Sequence, residues 1–182
     1  ATVVPWVMTR SGLAGTSTRA NETIGIGVIG MGIRGRRLMD QLMNRDDVRI
    51  VGVSEVAGPR LLAAMQAVEA RDGEPCAGYL DYEDLLDRDD IDAVVIATQD
   101  SNHARPAIMA ARRGVDVYCE KPLTVTVLAA RETLKAARRN NIVFQVGSQQ
   151  RTEYGGKFRK AVECVRNGRI GEVKKVKIGV GA

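Results

Sequence analysis

Apolar runs of strand length alternate with segments of helical periodicity from residue 23 to the end of the chain. The pattern predicts strands over 24–30, 48–54, 92–98, 115–119 and 142–147, with a short strand over 76–80. Between them it predicts helices over 34–45, 58–71, 125–139 and 153–167. In the second of these, Leu61, Leu62, Met65 and Val68 share one face. Another helix starts at Ser101 to His103, takes Pro106 into its first turn and stops at Gly114. Residues 81–86 read as a short helix with Asp81 as its N-cap. Near-continuous apolar strands alternating with helices imply a parallel α/β sheet covered on both faces. The last stretch, 172–180, alternates valine and isoleucine imperfectly with lysine, which predicts a strand with one wet face, the first strand of a different sheet.

The first strand runs into Gly30-Met-Gly-Ile-Arg-Gly35, and a helix follows at once. A dinucleotide pyrophosphate requires that order. Gly30 permits the tight turn, Gly32 lets the backbone approach the phosphates, and Gly35 lets the helix pack close to the strand. Ile33 and Arg34 complete the loop, and the helix N-terminus offers N–H groups to an anion. Glu55 stands twenty residues past Gly35, at the end of the second strand, where an acid binds the adenosine ribose. The context favours a Rossmann-type doubly wound domain over an ordinary strand–turn–helix. The carboxylate of Glu55 would repel a 2′-phosphate, which selects NAD, although Arg34 and Arg60 leave NADP possible.

Composition narrows the class further. The 182 residues carry a net charge of +5, with scattered basic residues and seven aromatics (one Trp, four Tyr, two Phe), so no basic, aromatic-interleaved nucleic-acid face is expected. Cys76, Cys119 and Cys164 are far apart and form neither a disulfide framework nor a zinc motif. One histidine, His103, excludes a multi-histidine metal site within the chain. No run reaches the roughly eighteen apolar residues that span a bilayer. Residues 1–22, an apolar start and then a stretch rich in Ser, Thr, Gly and Ala without an initiator Met, read as the remnant of an export signal or as a flexible arm. The first reading gives a periplasmic or exported location, the second a cytoplasmic one.

Ligands of open parallel sheets bind beyond the carboxyl ends of the strands. The polar groups there are Glu55, the 98–103 segment, Glu120-Lys121-Pro122 and the 147–151 segment. Together with Gly30 to Gly35, Tyr82-Glu-Asp-Leu-Leu-Asp87, Ile91 to Thr98 with His103-Ala104, Val117-Tyr-Cys-Glu-Lys-Pro-Leu123 and Phe144-Gln-Val-Gly147, the chain resembles the Gfo/Idh/MocA oxidoreductases over about residues 23–181. The resemblance implies an NAD(P)-binding Rossmann domain over 23–171. It further implies that 172–182 open an α/β domain supplying substrate contacts and the usual oligomer interface, with a sugar or polyol as substrate. It makes Lys121 the catalytic residue beside the nicotinamide, where an ammonium stabilises a developing oxyanion or relays a proton. Glu120 would place the cofactor and the lysine. Thr98 and His103 would line the nicotinamide-ribose side, and Gln149 the same cleft. Where many relatives read Pro-Asp-His-Trp-His, this chain has Gln99-Asp100-Ser101-Asn102-His103. Two other readings stay open: an NAD-dependent glycosidase of the same family, and a nucleotide-binding or interaction module without turnover.

Overall fold

The computed structural model describes residues 23–73, 75–149, 154–177 and 179. The leader reading of residues 1–22 lies outside them. Its strands are β1 (Ile24–Ile29), β2 (Val48–Ser54), β3 (Ala77–Tyr79), β4 (Ala93–Ile96), β5 (Asp116–Glu120) and β6 (Phe144–Gly147). Helices α1 (Ile33–Met43), α2 (Gly58–Asp72), α3 (Tyr82–Leu86), α4 (Ala104–Arg112), α5 (Val127–Arg139) and α6 (Lys157–Arg166) complete the series. The strands form one parallel sheet in the order β3-β2-β1-β4-β5-β6. The chain therefore winds outward from β1 in one direction and from β4 in the other, and the crevice between them is the switch point.

Alternate residues of β1 and β4 feed two cores, and a bulge in β2, which leaves Val51 without a partner on β1, sends Ile50 and Val53 to the same one. Ile26, Val28, Ile50 and Val53 pack with Leu38 and Met39 of α1 and Val68 of α2. Ile29, Val51, Val94, Ile96 and Val117 pack on the other face with Leu85 of α3 and Ala107 and Ala110 of α4. Full burial of one such aliphatic side chain contributes about 1.5–3 kcal/mol, so the two-sided sheet is what holds the fold. The short α3 shows the balance between local and tertiary terms. Five residues cannot hold a helix in water. Here the Asp81 carboxylate caps it by accepting from the Glu83 N–H at 2.9 Å, while Leu85 and Leu86 are buried. Leu85→Ala would cost about 2–5 kcal/mol.

Several predicted boundaries move for identifiable reasons. The start of the fifth helix shifts from 125 to Val127, because Thr126 is its N-cap and accepts from the Ala129 N–H at 3.2 Å. The helix expected from Ser101 begins instead as a one-turn 3-10 helix at Asp100–Asn102, followed by α4. The last helix starts at Lys157, not 153, after left-handed Gly155 and Gly156. The half-wet strand expected over 172–180 is absent from its described residues, which are exposed and hold no regular element. A strand needs a neighbour for its ladder bonds, and none of the described strands pairs with this stretch.

Candidate functional site

The glycine loop joins β1 to α1 at the switch point. The Gly30 N–H donates to the Ser54 carbonyl at 2.8 Å, and Gly30 adopts φ +92°. A Cβ there would stand 2.8 Å from the Thr98 nitrogen and 2.9 Å from the Ala97 carbonyl carbon, so only glycine fits. At Gly35 a Cβ would run into the Gly30 carbonyl oxygen, which is the close strand–helix approach the motif predicts. Gly32 differs from both. Its φ of −69° suits any residue, and a Cβ would meet nothing within 4 Å. Gly32 is the N-cap of α1, no side chain caps the helix among the described residues, and no acid lies in its first turn. The open space beside Gly32 thus faces the donor groups of a helix N-terminus, which suits a pyrophosphate.

Glu55 follows β2 across the crevice and is 8% exposed. One carboxylate oxygen accepts from the Met31 N–H at 2.8 Å and the other from the Ala57 N–H at 2.9 Å. Glu55 therefore braces the glycine loop against the β2–α2 connection. A carboxylate has about four acceptor positions, so capacity for ribose hydroxyls is left over. Arg60, at the start of α2, is exposed and lines the same cleft.

A cleft of about 800 Å³ runs along this edge, between the glycine loop, Glu55, Arg60 and the Thr98 loop. Ile33 and Val56 project into solvent at its rim. Sequence reasoning missed Val56, Leu80, Tyr82 and Arg105, which also line it. The signal that finds Val56 and Leu80 is position alone: each lies just beyond the carboxyl end of β2 or β3.

On the far side of the switch point the residues are tied to one another. Thr98 is half-buried, and its hydroxyl donates to the Asn102 carbonyl at 3.1 Å. His103 does not reach the cleft surface, contrary to the sequence-based expectation. It is 1% exposed, with Nδ1 2.7 Å from the Pro122 carbonyl oxygen and Nε2 3.1 Å from that of Thr98. Its ring occupies the interval between two main-chain loops, so it positions them. The Lys121–Pro122 peptide is cis, and the Lys121 side chain is exposed.

Glu120, the last residue of β5, is 4% exposed and collects four donors. Arg34 Nε approaches at 2.7 Å, the Tyr118 hydroxyl at 3.2 Å and the Lys121 N–H at 3.2 Å; the Gln149 amide nitrogen is the fourth. Burial pushes the Tyr118 hydroxyl up from its ordinary value, so it remains a donor at neutral pH. The structure thus brings Arg34, Glu120, Lys121 and Gln149 together, and Arg34 also lines the cleft with Gly30, Gly32, Ile33, Glu55, Arg60 and Thr98. No group of three or more His, Cys, Asp or Glu among the described residues is arranged to hold a metal ion. No described helix is long and apolar enough to cross a membrane.

A six-stranded parallel sheet with a glycine loop and an acid at its switch point defines a dinucleotide-binding domain of the Rossmann class. The sequence model of the oxidoreductase family with an NAD-binding Rossmann fold, Gfo/Idh/MocA, matches residues 24–148, and the chain belongs to that family. It is 28% identical over 152 residues to 2,7-anhydro-N-acetylneuraminate hydratase of Mediterraneibacter gnavus, covering 84% of this chain and 38% of that protein. It is 32% identical over 168 residues to a glycosyl hydrolase family 109 protein of Saccharopolyspora erythraea, covering 88% of this chain and 36% of that one. Among solved structures, scyllo-inositol dehydrogenase from Lactobacillus casei, with bound NAD(H) and scyllo-inositol, matches with TM-score 0.74 and 25% identity over 82% of this chain and 43% of that one. The chain thus spans about two fifths of the length of these relatives.

Proposed function

We propose that this chain is the cofactor-binding part of an NAD-dependent oxidoreductase acting on a sugar or polyol. The observation that carries the reading is the open space at Gly32 over the N-terminus of α1, with the Glu55 carboxylate held across the crevice by the Met31 and Ala57 N–H groups. Gly30, Gly32, Ile33 and Gly35 would cradle the pyrophosphate, and Glu55 would accept the ribose hydroxyls, favouring NAD over NADP. Bound NAD supplies a hydride acceptor or donor. Exposed Lys121 would hold its ammonium against the substrate oxygen that gains or loses a proton. Residues 172–182 would open a substrate domain that also makes the contacts of a homo-oligomer, and 1–22 would be an export leader.

On this reading the 182-residue chain binds cofactor but turns over sugars negligibly, because substrate positioning, worth roughly 7–11 kcal/mol of barrier, needs the second wall. Titration calorimetry with NAD and NADP tests the central claim: NAD should bind, and more tightly than NADP. No binding of either by folded protein would refute it. The glycosidase reading draws support from the family 109 similarity. Product analysis with a glycoside and a free polyol, on protein that includes a substrate domain, separates the two.

A further inference from the structure

Arg34 sits in the first turn of α1, within the glycine loop, where a cationic side chain is an obvious candidate for a cofactor phosphate. Its guanidinium instead leans across the switch point to Glu120, with Nε 2.7 Å from Oε1. Neighbouring strands of a sheet lie about 4.8 Å apart, so β5 is about 14 Å from β2, three spacings away. The adenosine-ribose side of the cleft, marked by Glu55 after β2, thus lies across the switch point from the carboxylate that Arg34 engages. Arg34 and Arg60 both line the cleft, Arg34 from the glycine loop and Arg60 from the start of α2 on the Glu55 side.

Glu120 is the point where separate parts of the molecule meet. Arg34 comes from the glycine loop, Tyr118 from β5, Gln149 from beyond β6, and the fourth donor is the main-chain N–H of Lys121 itself. Removing the guanidinium would leave a nearly buried carboxylate without its cation, and a buried charge relaxes toward water unless it is paired. The segment that would move is the one that begins with Lys121.

We propose that Arg34 is a positioning residue: through Glu120 it locks the Lys121 loop to the glycine loop, and it does not select between NAD and NADP. The proposal deepens the oxidoreductase reading and rests on Lys121 being its reacting group. One scaffold then sets both the pyrophosphate seat and the lysine, so nicotinamide and ammonium keep a fixed relation. Discrimination against the 2′-phosphate falls to Glu55, and any accommodation of it to Arg60.

The test uses the 182-residue chain with Arg34→Ala, Arg34→Lys, Glu120→Gln and the double variant Arg34→Ala/Glu120→Gln. Amide hydrogen exchange without cofactor is expected to speed up at least tenfold over residues 119–124 in Arg34→Ala and to stay unchanged over 48–54. Arg34→Lys should restore most of the protection, and the double variant should exchange no faster than Glu120→Gln alone. By calorimetry, Arg34→Ala should leave the ratio of NAD to NADP affinity within twofold of the parent. A tenfold change in that ratio, unchanged exchange over 119–124, or additive effects in the double variant would overturn the proposal. Because the exchange arm needs no dinucleotide, a chain that bound neither cofactor would defeat the oxidoreductase reading while the lock itself was still decided.

Discussion

Alanine in place of Gly30 should cost stability, and alanine in place of Gly32 should cost cofactor affinity. Alanine at Gly30 must hold φ +92° and put a methyl 2.8 Å from the Thr98 nitrogen. The backbone conformation costs about 1–3 kcal/mol and the forced contact a further 1–3 kcal/mol. The family match covers about 125 residues (24–148), and unfolding entropy of about 2.1 cal/mol/K per residue then makes 1 kcal/mol worth roughly 4 °C. Gly30→Ala should therefore lower the Tm by at least about 8 °C. Alanine at Gly32 meets open space at a φ of −69°. It loses a little as an N-cap and gains a little in the unfolded state, a net change within about 1 kcal/mol, or about 4 °C. On the proposed reading, its methyl takes space that the pyrophosphate would use. Holding a phosphate away from one charge-assisted N–H bond forfeits about 1.5–3 kcal/mol, a tenfold to 150-fold weaker Kd. Differential scanning calorimetry and NAD titration of both variants read the two quantities separately. Undiminished NAD affinity in Gly32→Ala would refute the pyrophosphate seat. Equal thermal losses in the two variants would refute the assignment of strain to Gly30 alone.

The other predictions concern the acid, the lysine and the thiols. Glu55→Gln turns an NH₂ group toward Met31 N–H or Ala57 N–H and leaves one buried donor unpaired, costing about 1–3 kcal/mol of stability. The same variant should weaken NAD more than NADP, and calorimetry of heat unfolding and of binding reads both effects. Lys121→Ala, an exposed change, should leave Tm and NAD affinity near the parent's. In an enzyme with a substrate domain it should cut kcat by about 10²–10⁴. Burial pushes the Cys76 thiol up to about 11 and the Cys119 thiol up to about 12. Both folded values exceed the unfolded one, so this stability is intact below about pH 9 and is lost as pH rises through the folded values. Tm measured from pH 8 to 10.5 should fall, and less steeply in Cys76→Ala/Cys119→Ala; an identical slope would contradict it.

Hydrophobic periodicity was enough to read the order of strands and helices, and the spacing from Gly30 to Glu55 was enough to read the cofactor class. Both are local or near-local signals: period two against period 3.6, a turn that only glycine can make, an acid one strand further on. Asp81 as a cap is legible for the same reason, since its partner is the Glu83 N–H two residues away. What the tertiary structure alone decided is where the polar side chains of the site point. His103 is a plausible ligand-facing residue in the sequence, yet folding sets it between the carbonyls of Thr98 and Pro122, nineteen residues from the latter. Arg34 reads as a phosphate contact, and the fold also brings its Nε to Glu120, 86 residues away. The 172–180 segment has the alternation of a strand, but no described strand pairs with it, and alternation without a ladder partner does not make one. Periodicity reports which face of an element is apolar. The partner of a long charged side chain depends on which strand ends the winding of the sheet brings side by side, and no local pattern encodes that.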